Sequence, residues 1–173
     1  MLITRHHKHI ELAAAPPNTL FVFEYRAEIV RGISMGPVSG SELIPVILLD
    51  KPGEGGPVYA EVENKMVLDY GCDGVVDYGD EPPAVTDNFT SPIPHGMLRI
   101  GGDMALLRIK RLKLPAQMAM ADIDLATMKT APGTILPDGS FEVWSWWIWR
   151  NEEEKNREGG RRFFEFSAQR PNA

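Results

Sequence analysis

Histidine is the residue type in this sequence that could most directly bind a metal ion or transfer a proton. The chain has four histidines, and His6, His7 and His9 lie close together near the N-terminus. In a strand, His7 and His9 would share one face. Two imidazoles on one face can hold Zn²⁺ when His95 or an acidic residue supplies a further ligand. The segment is equally typical of an exposed basic strand. His7 and His9 are therefore the metal candidates, but no metal or other cofactor is predicted.

His95 is the candidate general acid or base, because it lies between Pro94 and Gly96 in a long irregular stretch. The sequence contains no His-Glu-x-x-His motif, and the Gly/Ser-rich stretch 36–41 lacks the Lys-Ser/Thr ending of a phosphate-binding loop. A loop histidine that bonds to the backbone would give the same sequence. These observations favour a protein without catalytic activity, with a small hydrolase or lyase that uses His95 or the N-terminal histidines as the alternative.

Four tryptophans lie within the segment Phe-Glu-Val-Trp-Ser-Trp-Trp-Ile-Trp-Arg. On a strand, Trp144 and Trp146 point to one side, whereas Trp147 and Trp149 point to the other. One side is expected to pack on the core, and the other is expected to be covered by a second layer, a ligand or another chain. Tryptophan is a common interface anchor. All four tryptophans are therefore predicted as a binding platform, with a strand buried on both sides as the alternative.

Charge is distributed unevenly along the chain. The net charge is −6, from 18 basic and 24 acidic residues. Residues 50–90 contain ten acidic residues and two lysines, whereas residues 97–114 contain five basic residues and one aspartate. Such segregation can steer association, so Arg108 and Lys110 are added to the predicted binding residues. The alternative is that the acidic and basic strands face each other within the fold. The negative net charge argues against binding to nucleic acid.

Length and composition are typical of one folded domain. The chain has 173 residues, of which 43% are hydrophobic and 24% are charged, so disordered, collagen-like and coiled-coil proteins are excluded. No apolar stretch is long enough for a membrane helix, and the N-terminus lacks the apolar core of a signal peptide. We therefore expect a single cytoplasmic domain over residues 1–173 that does not interact with membranes. The single cysteine, Cys72, is expected to be a small buried thiol.

Two-residue alternation of apolar and polar side chains predicts a mainly β protein. The clearest strand is predicted over Leu20 to Arg31, and a second over Val58 to Tyr70, broken near Asn64 into a hairpin. The one predicted helix covers about residues 115–129, where Met, Ala and Leu recur at intervals of three and four. A long Pro-rich loop is predicted at about 79–96. The expected fold is an antiparallel sandwich or barrel of about seven to nine strands with one short helix.

Two functional hypotheses follow from this pattern. The first is a non-catalytic protein-binding or assembly subunit that binds a protein partner or itself through a β-rich surface with an aromatic strand. The second is a β-barrel that binds a small ligand, with the tryptophans lining its pocket.

Overall fold

Short strands, nearly all of them antiparallel, make up about half of the computed structural model, which describes residues 8–25, 27–79, 95–112 and 120–168. The strands of these ranges are β1 (Lys8–Glu11), β2 (Leu20–Tyr25), β3 (Glu28–Ser34), β4 (Leu43–Leu48), β5 (Val58–Glu63), β6 (Met66–Asp69), β7 (Val75–Asp77), β8 (Leu98–Gly101), β9 (Met104–Arg111), β10 (Met120–Asp124), β11 (Lys129–Thr130), β12 (Phe141–Val143), β13 (Ser145–Trp149) and β14 (Phe164–Ser167). One short helix, α1 (Glu152–Asn156), and a 3-10 turn (Leu12–Ala14) accompany them. Neither of these described helices could span a membrane.

The strands form two sheets. Eleven belong to the larger sheet, whose main path runs β1-β6-β2-β3-β4-β5-β9-β10-β11, while β8 joins β9 to β12. The smaller sheet has the order β14-β13-β7. All pairings are antiparallel except the short one between β5 and β9. The mainly β, antiparallel, sandwich-like fold predicted from the alternation is confirmed.

Two apolar cores are built on opposite faces of the larger sheet. In β2, Leu20 and Val22 face the first core, whereas Phe21 and Phe23 face the second. The first core is completed by the smaller sheet, which contributes Trp146, Ile148, Phe164 and Phe166. Because both faces of β2 are covered, its apolar and polar residues alternate only in part.

The larger sheet curls around the second core. Only Asn64 and Lys65 separate β5 from β6, yet β5 pairs with β4 and β9 whereas β6 pairs with β1 and β2. Two residues span only about 7 Å, so the sheet must bend to bring these strands together. No pairing within the described residues joins β5 to β6. The sheet therefore curls without closing into a barrel, and the predicted β5–β6 hairpin is wrong.

The predicted continuous strand over Leu20 to Arg31 is also wrong. The chain reverses after Tyr25, and β2 pairs with β3 in a tight hairpin. Ala27 adopts a left-handed backbone conformation with φ 63° at this turn. The turn was not predicted because the alternation of apolar and polar side chains continues through it and alanine is not a typical turn residue. Ile29, next to this turn, is 70% exposed.

The helix predicted over about residues 115–129 is contradicted where that range is described. Residues 120–124 form β10, which pairs with β9, and a turn over 125–128 leads into β11. The one α-helix of the described residues is α1 instead, which begins after Asn151 and carries three glutamates in its first turn. The fourteen strands exceed the seven to nine expected, because several predicted strands are divided by turns. Most of the predicted loop 79–96 lies outside the described residues.

Candidate binding surface of the smaller sheet

Trp146 belongs to the first core. It is 1% exposed, and its ring packs against Phe164 and Phe166 with centroid distances of 5.5 and 5.9 Å. Its indole Nε1 donates a hydrogen bond of 2.6 Å to the carbonyl of Gly96. Gly96 has a φ of 94°, and a Cβ atom there would collide with the Phe166 ring. One side of the aromatic strand therefore packs on the core, as the sequence predicts.

Trp147 and Trp149 lie on the opposite side of β13 and are half-buried. The guanidinium of Arg162 covers both, with its Cζ atom 3.8 Å from the Trp147 ring centroid and 5.8 Å from that of Trp149. We call these three residues the tryptophan face. The Nε1 atom of Trp147 is buried and has no hydrogen-bond partner among the described residues. Trp144 lies between β12 and β13, where the chain passes from the larger sheet to the smaller one.

Charged side chains surround the tryptophan face. Arg162 contacts Glu165 of β14 at 3.0 Å, and Lys155 of α1 contacts Asp77 of β7 at 3.5 Å. Asp77 also accepts a hydrogen bond of 3.4 Å from the Trp149 Nε1. Burial raises the pKa of Asp77, but the amide of Gly79, the ammonium of Lys155 and the Trp149 indole together lower this pKa below its ordinary value. The carboxylate is therefore charged and fixes the edge of this surface.

An open cleft of about 800 Å³ lies beside the tryptophan face and shares Arg162 with it. We call it the arginine cleft. Its wall contains five arginines and one glutamate, contributed by β3, the end of β13 and the segment from α1 to β14: Arg31, Arg150, Arg157, Arg161, Arg162 and Glu154. Its apolar lining includes Val22, Leu68, Tyr70 and Phe163. The cleft thus combines a strongly cationic wall with an apolar and aromatic lining.

Glu154 organises the arginines of this cleft. Its carboxylate accepts hydrogen bonds from Arg150 at 2.8 Å and Arg157 at 3.1 Å, and the Arg161 amide approaches it at 3.4 Å. Burial raises the pKa of Glu154, but these arginines and the amide lower it more, so the pKa lies below its ordinary value. Asn151 caps α1 by accepting a hydrogen bond of 2.8 Å from the Glu154 amide. The cap therefore positions the carboxylate that orients two guanidinium groups.

Arg108 and Lys110 make ion pairs within the chain. Arg108 donates two hydrogen bonds of 2.9 Å to Asp122, and this pairing raises the pKa of the Arg108 guanidinium above its ordinary value. Lys110 contacts Glu54 at 2.9 Å, and the Lys110 bond is the main cause that lowers the pKa of the Glu54 carboxyl. The Lys110–Glu54 pair joins the basic segment 97–114 to the acidic segment 50–90. It is thus an instance of the alternative in which the two segments face each other within the fold. Asp122 lies opposite Arg108 on the neighbouring strand β10, whereas Glu54 lies in the loop between β4 and β5.

The histidine candidates are not brought together. His9 is exposed on β1, while His7 lies outside the described residues. His95 is half-buried, and its Nε2 lies 2.8 Å from the carbonyl oxygen of Glu54. This is the contact with the backbone that the sequence analysis gave as the alternative to an acid or base role. No group of metal-ligating side chains occurs within the described ranges. Cys72, expected to be buried, is exposed because it lies in the turn after β6.

Two features of the sequence gain meaning only from the structure. Gly32-Ile33-Ser34-Met35-Gly36 has the Gly-x-Ser-x-Gly spacing of a hydrolase nucleophile elbow. However, Ser34 is fully buried at the end of β3, and its hydroxyl bonds to the carbonyl of Ala15 at 3.3 Å. An elbow serine is exposed on a strand-to-helix turn, so Ser34 is structural. The arginine cleft was also missed, although the run of arginines after α1 was a signal for it.

The chain matches no protein-family model, no curated protein and no solved structure. The function must therefore be argued from the surface itself.

Proposed function

We propose that this protein is a non-catalytic assembly subunit that binds a second copy of itself through the tryptophan face. The observation that carries the proposal is the stack of Arg162 on Trp147 and Trp149, at 3.8 and 5.8 Å, on the outer side of the smaller sheet. Tryptophan and arginine are the residue types most enriched among the side chains that dominate binding energy at protein interfaces.

The stack is suited to association because its side chains are held before a partner arrives. Arg162 is fixed by Glu165 at 3.0 Å, and Trp149 is fixed by Asp77 at 3.4 Å. Side chains that are already ordered lose little further conformational entropy on binding.

Charge favours a second copy as the partner. The arginines of the arginine cleft lie on one side of the smaller sheet, which covers the first core. Exposed carboxylates lie on β1 and β5, two strands that contribute apolar side chains to the second core, and include Glu11, Glu61 and Glu63. The chain as a whole is acidic, with a net charge of −6. A second copy therefore presents a surface that complements the arginines, and such complementarity steers association.

Sedimentation equilibrium of two variants tests this proposal. Trp147→Ala removes the centre of the stack, whereas Ile135→Ala removes an apolar side chain that is 92% exposed elsewhere. We expect the wild type and Ile135→Ala to share one oligomeric mass and Trp147→Ala to have the mass of one chain, 19.3 kDa. Circular dichroism shows whether the variants are folded.

Arg162→Gln provides an independent variant, because Arg162 is exposed and its replacement leaves both cores intact. It should weaken the oligomer in the same direction as Trp147→Ala. The proposal is wrong if both folded variants keep the wild-type mass, or if the wild type has the mass of one chain up to about 0.1 mM.

A further inference from the structure

The arginine cleft has the composition of an anion-binding site, which goes beyond self-association. Five arginines line one cleft of about 800 Å³ in a protein whose net charge is −6. Arginine presents a planar fork of donors that binds carboxylate and phosphate groups in pairs of hydrogen bonds. The volume lies within the range of sites that bind small organic molecules.

The donors of the cleft are only partly used by the protein. Glu154 is the one carboxylate of the wall, and it is shared between Arg150 and Arg157. Arg31 is held by Asp50 at 3.3 Å and by the carbonyl of Phe163 at 3.1 Å. The side chain of Arg161 is exposed and makes no hydrogen bond or ion pair within the described residues. Several guanidinium N–H groups therefore remain for a ligand, and Arg31, Arg150 and Arg157 are already oriented by their partners.

The lining of the cleft indicates that the ligand is more than a simple inorganic ion. Tyr70 and Phe163 pack against each other with their ring centroids 5.4 Å apart, and the Arg150 guanidinium lies 5.7 Å from the Tyr70 ring centroid. Val22 and Leu68 add aliphatic surface. A ligand that fills this cleft can place an apolar or ring-shaped part on these side chains while its charged groups meet the arginines.

We propose that the arginine cleft binds an organic phosphate, with its phosphate groups on Arg157, Arg161 and Arg31 and its ring against Tyr70, which packs on the buried Phe163. A phosphate group carries close to two charges and three acceptor oxygens, so it can bridge several guanidinium groups at once. A carboxylate carries one charge and two oxygens, and the carboxylate of Glu154 is already shared by Arg150, Arg157 and the Arg161 amide. Phosphate therefore suits the unused donors better than a carboxylate.

Isothermal titration calorimetry with three probes tests this proposal. Adenosine triphosphate carries both a ring and phosphates, tripolyphosphate carries phosphates alone, and citrate carries carboxylates alone. We expect adenosine triphosphate to bind most tightly, tripolyphosphate less tightly, and citrate least. Each affinity should fall as salt is raised, since ions screen exposed charges.

The double variant Arg157→Gln/Arg161→Gln should weaken adenosine triphosphate binding about tenfold or more, because charged hydrogen bonds are lost. Arg161→Gln alone should weaken it in the same direction, and its exposed position leaves the fold intact. Lys129→Gln, at an exposed position on β11, is the matched control and should bind like the wild type.

Three outcomes would overturn the proposal: equal affinity for citrate and adenosine triphosphate, unchanged affinity in the folded double variant, or no heat of binding with any probe. Binding of a single-stranded oligonucleotide without binding of adenosine triphosphate would overturn it as well. The oligomeric mass of these variants is a separate readout, so failure here is distinguishable from failure of self-association.

Discussion

Trp146 and Trp147 are neighbours in the sequence but serve different surfaces of the molecule. Successive side chains of a strand point to opposite faces, so Trp146 enters the first core and Trp147 meets Arg162 outside it. The same chemical change at the two positions should therefore have different consequences. Trp146 stabilises the fold, whereas Trp147 lies on the outer surface that is proposed to bind a second copy.

Trp146→Ala should lower the free energy of unfolding by about 3–5 kcal/mol, the usual cost of emptying a large buried aromatic site. It also leaves the carbonyl of Gly96 without the indole donor. Trp147→Ala should cost clearly less, because Trp147 is only half-buried. Urea denaturation of both variants measures the difference. Equal losses would contradict the assignment of the two tryptophans to different surfaces.

Glu154 should make stability depend on pH in the acid range. Its folded pKa lies below the ordinary value of 4.5, so its stabilising contribution is present at neutral pH and is lost as the pH falls through the folded pKa. Glu154→Gln should therefore destabilise the protein at about pH 7, and the difference from the wild type should shrink towards about pH 3. Urea denaturation at both pH values measures this.

Glu153→Gln is the matched control for Glu154, since Glu153 is an exposed neighbour in the same helix. It should show no comparable change between the two pH values. A difference between Glu154→Gln and the wild type that grows as the pH falls would contradict the role given to the arginine bonds.

The orientation of a side chain was predictable from the sequence where it depends only on neighbouring residues. The opposite orientation of Trp146 and Trp147 followed from strand geometry alone. The pairing of Lys110 with Glu54 did not, because 56 positions separate them in the chain and a single sequence carries no record of which distant charges meet. The arginine cleft was missed for the same reason, since Arg31 joins it from β3.

Among the elements, the β2–β3 hairpin contains a residue that is strained in its position. Ala27 has a φ of 63°, a conformation that costs an L-residue with a side chain about 1–2 kcal/mol and glycine almost nothing. Alternation predicts strands on both sides of this position, but it cannot show that the chain reverses here.

Ala27→Gly should raise the free energy of unfolding by about 0.5–1 kcal/mol, because it relieves the backbone strain by more than it adds unfolded-state entropy. Ala126→Gly, at an exposed turn position whose φ is not positive, should give no gain. Thermal or urea unfolding measures both. A loss of stability in Ala27→Gly would contradict the turn geometry.

Strand β10 occupies part of the region predicted as a helix, and its pairing explains why. The apolar spacing at 118–128 has a helical period, but Asp122 on β10 meets Arg108 at 2.9 Å and Arg99 at 3.4 Å across the sheet. Backbone pairing with β9 and these ion pairs together outweigh local helix preference, which amounts to less than about 1 kcal/mol per residue.

Asp122→Asn should lower the free energy of unfolding by about 3 kcal/mol, because it removes the charge that compensates two largely buried arginines. Asp103→Asn, in the exposed turn between β8 and β9, is the control and should change stability little. Chemical denaturation measures the two variants. A near-neutral result for Asp122→Asn would show that β10 is held by backbone pairing alone.

At the scale of the whole molecule, the sequence predicted the class of fold but not the order in which the strands pair. Alternation and turn residues indicated antiparallel sheets, which is confirmed. The larger sheet curls because the consecutive strands β5 and β6 pair with different strands rather than with each other. Nothing in the segment from Val58 to Tyr70 specifies those partners. The division of the aromatic strand between two sheets at Trp144 likewise depends on long-range pairing.

The distribution of charge over the whole molecule gives the proposed assembly its salt dependence. Arginines line a cleft on one side of the smaller sheet, while exposed carboxylates lie on β1 and β5. Contacts between exposed opposite charges weaken as ions screen them over about 10 Å or less. An interface of this kind joins two different surfaces, and it gives an oligomer of defined mass when the copies close into a ring.

The most direct test of self-association is the mass of the untagged wild-type protein by size-exclusion chromatography with light scattering, at low and at high salt. We expect a discrete multiple of 19.3 kDa at low salt and a shift towards the mass of one chain at high salt. A mass of one chain in both conditions, over the full concentration range, would contradict the proposed function.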